Sequence, residues 1–220
     1  MKVPVVKSIL AANDQIAQEN RQLFDEKGVM AVNIMASPGA GKTSLILRTI
    51  ERLRDKARIG VIEGDVASSI DADRIAQEGV PVVQINTGGG CHLDANMLRA
   101  ALPSLNLDEL DILFIENVGN LICPANFRLG AHIQAMLASI PEGDDKPYKY
   151  PGMYQGVDAL VVNKIDLLPY VRFDMERFRK GVAALNPDVA IFEVSCVTGK
   201  GVQDWAEWLM QKKDTLLRRG

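Results

Sequence analysis

Six short apolar runs constrain this chain more than any other feature. They cover residues 29–35, 59–62, 80–85, 112–115, 159–162 and 190–194, and nearly every one closes on a polar or glycine-rich segment. Helical stretches such as 94–102 and 173–185 separate most of them. Short strands alternating with helices argue for a mostly parallel sheet covered on both faces, an α/β architecture in three layers. Ligands of such sheets sit beyond the carboxyl ends of the strands, where the polar closures lie. Residues 132–140 read either as one more strand or as a helix turn. Residues 141–154, rich in Gly, Pro and Asp, read as a surface loop long enough to suggest function. Residues 7–27 carry Ile9, Ile16 and Leu23 beside Leu10, Ala17 and Phe24, two rows at helical period that stop at Gly28. This helix either packs on its own domain or faces a partner. The expected division is an N-terminal helical extension over 1–28 and one domain over 29–220.

Composition excludes several classes. With 47% hydrophobic and 24% charged residues in 220, the chain is neither disordered nor fibrous. A net charge of -3 lacks the basic excess of a nucleic-acid binder. No apolar run approaches the ~18 residues of a membrane span, and the start lacks the pattern of a secretory signal. Three cysteines are too few for a disulfide framework. They imply a reducing, cytoplasmic compartment and free thiols.

The first run leads into Ala36-Ser37-Pro38-Gly39-Ala40-Gly41-Lys42-Thr43-Ser44. Gly41-Lys42-Thr43 matches the end of a phosphate-binding P-loop, while Ala36 replaces the usual first glycine. Small residues let backbone N–H groups converge on phosphate oxygens at a helix N-terminus. Lys42 is expected at the β- and γ-phosphates and Thr43 at Mg²⁺. Glu116, with Gly119 three residues later, closes the fourth run as a metal-side carboxylate. Asp65 closes the second run, where it can hold a metal-bound water or orient the attacking one. Asp71 and Asp73 follow in a segment that could move with the γ-phosphate. Lys42, Asp65 and Asp71 are the candidate catalytic residues, and Thr43, Glu116 and Asp65 the candidate magnesium set. No Gln or Arg is obviously placed to assist cleavage, so slow hydrolysis or completion by a partner is expected.

Asn163-Lys164-Ile165-Asp166 closes the fifth run. The Asp166 carboxylate can accept from guanine N1–H and the exocyclic amine, a pair that adenine lacks. Lys164 can lie along the purine, and the backbone of Ser195-Cys196-Val197 can meet guanine O6. The expected nucleotide is GTP.

Cys91-His92 follows three glycines, and Cys123 lies seven residues beyond Glu116. Two thiolates and an imidazole suit zinc, and also nickel. The alternative is ordinary packing. Cys91 and His92 would face opposite ways on a strand, so joint ligation requires a turn, which the glycines permit. Cys196 reads as base contact or packing, and His132 as a core or surface group.

Gly90 to Ala95 (Gly-Cys-His-Leu-Asp-Ala), Glu116 to Ala125 (Glu-Asn-Val-Gly-Asn-Leu-Ile-Cys-Pro-Ala) and Asn163 to Tyr170 (Asn-Lys-Ile-Asp-Leu-Leu-Pro-Tyr) together resemble the hydrogenase nickel-incorporation GTPase family. The resemblance runs from about Val29 onward. The related urease nickel-chaperone GTPases carry Cys-Pro-His instead. The resemblance implies a P-loop NTPase fold that dimerises across its nucleotide face on GTP or metal binding. It implies GTP-dependent nickel delivery to the large subunit of a [NiFe]-hydrogenase, alongside a smaller zinc- and nickel-binding maturation partner. It also implies that Cys91, His92 and Cys123 are metal ligands, at sites zinc often occupies. Only two histidines occur, so the nickel-storing histidine tract of many members is missing. Gly89 stands where relatives often have lysine.

Overall fold

A computed structural model of the chain describes residues 9–66 and 68–217. Among them are seven strands: β1 (Met30–Ala36), β2 (Ile59–Asp65), β3 (Val82–Asn86), β4 (Ile112–Glu116), β5 (Ile133–Ser139), β6 (Ala159–Asn163) and β7 (Ala190–Glu193). They form one sheet in the order β3-β2-β4-β1-β5-β6-β7, with every pairing parallel. The ambiguous stretch at 132–140 is β5, paired on both sides in mid-sheet. Burial on both faces removes the two-residue alternation that would have marked it. The helices are α1 (Ile9–Lys27), α2 (Lys42–Leu53), α3 (Ile70–Ala76), α4 (Ala95–Ala101), α5 (Lys146–Lys149), α6 (Pro151–Tyr154), α7 (Met175–Leu185) and α8 (Val202–Leu217). This is the three-layer P-loop NTPase architecture.

The central strand shows how the layers are built. Met30, Val32, Ile34 and Ala36 point to one face, where they pack with Leu45 and Ile46 of α2 and Trp205 and Leu209 of α8. Ala31 and Met35 point to the other face. There, one cluster gathers Phe24 of α1 and Leu98 of α4, and a second gathers Met153, Tyr154 and Phe178 from α6 and α7. The chain leaves β1 towards β2 and leaves its neighbour β4 towards β5, so the two connections depart in opposite directions. That opens a crevice at the carboxyl edge.

Two expectations need correction. Residues 141–154 are not a plain surface loop. Pro141, Pro147 and Pro151 each open a short helical turn, a position where a missing N–H costs nothing. Met153 and Tyr154 are each 1% exposed. The buried stripe of α1 also differs from the apolar rows. It runs Asn13, Ala17, Asn20, Phe24, while Leu10 is exposed. Both asparagines bind backbone of the same chain, so α1 packs on its own sheet. Asn13 donates to the Arg128 carbonyl (2.8 Å) and accepts from Ala95 N–H (2.9 Å). Asn20 donates to the carbonyls of Ala95 (2.9 Å) and Leu129 (3.2 Å). Gly130 permits this approach, since a Cβ there would lie 2.4 Å from the Ala17 carbonyl oxygen.

Removing a buried hydrogen-bonding partner strands the groups it served. Asn20→Ala is therefore expected to lower unfolding free energy by about 1–3 kcal/mol in urea. Leu10→Ala is expected to change it by less than ~0.5 kcal/mol.

Candidate nucleotide and metal sites

The loop from Ser37 to Gly41 turns the chain from β1 into α2. Gly39 and Gly41 both hold positive φ, at 74° and 103°. A Cβ on Gly41 would meet Asn163 Nδ2 at 2.5 Å, so only glycine fits beneath the base motif. The Ser37 hydroxyl is buried without a hydrogen-bond partner, as suits a phosphate neighbour. Gly119 presses on the same loop, where a Cβ would lie 2.9 Å from Pro38 Cα and N.

Glu116 meets both signature residues of α2. The Thr43 hydroxyl donates to Glu116 Oε1 (2.9 Å), and Lys42 Nζ lies 3.9 Å from the same oxygen. The second oxygen, Oε2, is buried without a partner. The Thr43 hydroxyl and the Glu116 carboxylate, with its unsatisfied Oε2, make a pair of hard-oxygen donors that fits magnesium. Asp65 closes β2 and accepts from Ser68 N–H (2.7 Å). Asp71, in the first turn of α3, pairs with Arg74 (3.2 Å). Asp73 accepts from the Ser69 hydroxyl at 3.2 Å and faces solvent.

Glu63 joins the site only in the folded structure. It lies beside Glu116 in strand register, is 2% exposed, and leaves Oε2 unpartnered. Burial first, then Glu116, Asp65 and Asp71, push its carboxyl up to about 8. Burial also pushes Glu116 up to about 7, against the pull of Lys42 and Thr43. A second acid two residues before Asp65, still within the buried length of β2, was the available signal.

The base motif is tied directly to the phosphate loop. Asn163 donates to the Ala40 carbonyl (3.0 Å), while its Oδ1 accepts from Lys164 N–H (2.8 Å) and Cys196 N–H (3.3 Å). Lys164 takes a positive φ of 64°, and its ammonium donates to the Gly39 carbonyl (2.6 Å). Asp166 Oδ1 is buried and unpartnered, fitting an acceptor kept for a base. Ser195 caps the neighbouring loop by accepting from Thr198 N–H (3.1 Å). Burial pushes the Cys196 thiol up to about 11, in keeping with packing beside Asn163.

Cys91, His92 and Cys123 come together. Cys91 Sγ lies 3.1 Å from Cys123 Sγ and 3.5 Å from His92 Nδ1, and all three donor atoms fall within 4.8 Å of one another. The conflict expected of adjacent residues on a strand does not arise. β3 ends at Asn86, and Gly88 and Gly89 turn the chain at φ 60° and 101°. Desolvation lowers the His92 pKa, which keeps the imidazole neutral and able to ligate. Its ring lies on Phe127, with centroids 3.9 Å apart. The hydrogen bond with Cys91 raises the Cys123 thiol. Behind these three residues stand two more whose place only the fold reveals. Asn117 accepts from Leu93 N–H (3.0 Å), and Asn120 accepts from Cys123 N–H (3.3 Å). His132 lies elsewhere, held by Asp25 (2.8 Å) and Ala31 N–H (3.0 Å).

Fold, phosphate loop and base motif together define a P-loop nucleotide-binding protein. Residues 30–193 match the family model described as CobW/HypB/UreG, nucleotide-binding domain. Hydrogenase maturation factor HypB of Azotobacter vinelandii is 46% identical over 214 residues, covering 97% of this chain and 71% of that protein. Among solved structures, HypB from Helicobacter pylori in complex with nickel aligns with a TM-score of 0.89 at 38% identity. That alignment covers 93% of this chain and 96% of the other. HypB from Archaeoglobus fulgidus aligns at 0.86 and 40% identity, covering 92% and 99%. The chain belongs to the hydrogenase maturation factor HypB family.

The two raised carboxylates carry a stability consequence. Their folded pKa values exceed the ordinary 4.5, so the folded state holds extra protons above that pH. Stability must then fall as pH rises from about 4.5 to about 8. In nucleotide- and metal-free protein, the urea midpoint is expected to drop across this window, and Glu63→Gln to flatten the drop.

Proposed function

We propose that this chain is a GTP-hydrolysing metallochaperone that delivers nickel during maturation of [NiFe]-hydrogenase. The observation that carries this reading is the joining of two sites by one short segment. Glu116 stands against Lys42 and Thr43, and Cys123, seven residues on, stands against Cys91. The family match and the nickel-bound relative support it.

In this reading residues 29–220 form the GTPase domain and 1–28 an extension upon it. Ser37 to Ser44 cradle the phosphates, with Lys42 at the β- and γ-phosphates. Asn163, Lys164 and Asp166 select guanine, with the loop of Ser195, Cys196 and Val197 closing over it. Thr43, Glu116 and Asp65 hold magnesium. When bound, that ion neutralises charge developing on the phosphates. Asp65 or Asp71 orients the attacking water. Arg74 is engaged by Asp71 and Gln84 by the Ser68 carbonyl, so neither is placed to assist cleavage, and hydrolysis is slow.

Cys91, His92 and Cys123 take Ni²⁺ or Zn²⁺. Three donors leave one position open for a ligand from a second copy or from water. The protein works in the cytoplasm as a GTP- or metal-promoted homodimer. It receives or passes metal through a zinc- and nickel-binding maturation partner and serves the hydrogenase large subunit.

Two measurements test this. In single-turnover assays with Mg²⁺-GTP, wild-type protein is expected to release phosphate, and Asp65→Ala to slow release by 100-fold or more (roughly the scale of losing a positioned general base). No phosphate release under any metal or dimer condition leaves a binding switch rather than an enzyme. In equilibrium dialysis, the Cys91→Ala, Cys123→Ala double variant is expected to lose the bound Ni²⁺ or Zn²⁺. Unchanged stoichiometry rejects the metal site. Recovery of a urease subunit rather than a hydrogenase subunit from cell extract changes the client.

A further inference from the structure

Arg48 lies one helical turn beyond the phosphate loop, outside the phosphate and base motifs. Its Nε donates to the Cys196 carbonyl (2.7 Å) and its Nη2 to the Val197 carbonyl (3.3 Å). Glu51 holds the remaining arm, Nη1, at 2.7 Å. One guanidinium thus grips two consecutive carbonyls of the loop beside the base motif.

The amides of that loop show what the grip does. Ser195 N–H donates to the Lys200 carbonyl (3.0 Å), and Gly199 N–H to the Ser195 carbonyl (2.8 Å). Cys196 N–H goes to Asn163 Oδ1 (3.3 Å), Thr198 N–H to the Ser195 hydroxyl (3.1 Å), and Lys200 N–H to the Thr198 hydroxyl (3.4 Å). From 195 to 200, the Val197 N–H alone finds no partner among the described residues. That N–H shares its peptide unit with the Cys196 carbonyl. In a planar trans peptide the two point in opposite directions. Drawing the carbonyl to Arg48 therefore turns the free N–H away from α2. Lys164 N–H and Cys196 N–H donate to the same Asn163 Oδ1, so the loop and the base motif meet at that atom.

We propose that Arg48 is a specificity-determining positioning residue, fixing the Cys196–Val197 peptide so that the Val197 N–H meets guanine O6. Adenine carries an amine at that position, so two donors would oppose each other there. The proposal rests on the guanine reading of Asn163, Lys164 and Asp166. The planar fork of arginine is needed, because one ammonium cannot bridge both carbonyls in fixed geometry.

The test uses the full chain with GDP, 6-thio-GDP and ADP, each with Mg²⁺, and measures affinity by calorimetry. Replacing O6 by sulfur leaves the contacts to Asp166 and weakens only the acceptor at position 6. Wild type is expected to prefer GDP over 6-thio-GDP. Arg48→Ala is expected to lose GDP affinity on the order of tenfold, the scale of one hydrogen bond. Its affinity for 6-thio-GDP should fall much less, so the preference collapses. Arg48→Lys keeps the charge beside Glu51 and is expected to follow Arg48→Ala, which separates lost geometry from lost charge or folding. Equal loss for both guanine nucleotides in both variants overturns the role of Arg48. So does an unchanged preference. A wild type that holds ADP as tightly as GDP overturns the guanine reading itself and this inference with it.

Discussion

The structure depends on one close approach, between the segment after β4 and the phosphate loop. Glu116 engages Thr43 and Lys42 from below. Gly119 lies so near Pro38 that no side chain fits between them. Asn120 N–H donates to the Ala36 carbonyl at 2.8 Å. The segment is thereby fastened to the phosphate loop at three levels before it reaches Cys123. Close-packed contacts of this kind do not deform freely. A nucleotide that shifts Pro38 must also shift Gly119, and the thiol that follows lies within reach of that movement. If Cys123 binds metal as proposed, linkage runs both ways, and metal there alters nucleotide affinity by the same factor.

Buried asparagines are the joints of this arrangement. Asn163 binds the Ala40 carbonyl with its amide nitrogen and two loop amides with its oxygen. Asn117 links Leu93 to Asn33 (3.3 Å), and Asn33 donates onward to Gln134 (2.8 Å). On β1, Asn33 sits between Ala31 of one apolar cluster and Met35 of the other on the same face of the sheet. Asparagine suits the task because one short side chain both donates and accepts. The same property lets Asn13 and Asn20 dock α1. Each joint costs desolvation, which satisfied bonds offset, and each specifies one arrangement where apolar packing would tolerate several.

The paired carboxylates of Glu63 and Glu116 work against stability. Burial places two acids in adjacent register with an unsatisfied oxygen on each. A site that gathers negative groups under a phosphate loop is strained without a cation and relieved by one. The raised pKa values of both groups express burial first, with the neighbouring carboxylates adding to it. Local stability is given up where a ligand is to be held, a common trade in binding sites.

Local pattern alone was enough for the alternation of strand and helix, the phosphate loop and the base motif, whereas Cys91, His92 and Cys123 stood out as ligands only through the family resemblance. Each of the first three rests on residue type at short spacing, which a linear string preserves. Strand order was not legible, nor was the placement of β5, because burial on both faces erases periodicity. The docking of α1 through Asn13 and Asn20 was hidden for a related reason. Polar residues on a helix read as solvent-facing until the carbonyls they satisfy, more than seventy positions away, are known. Glu63, Asn117 and Arg48 acquire their roles only from what lies across the fold. The residues set which chemistry was possible. Tertiary structure decided which of those groups meet, because hydrogen bonds and coordination act over a few ångströms that chain separation does not encode.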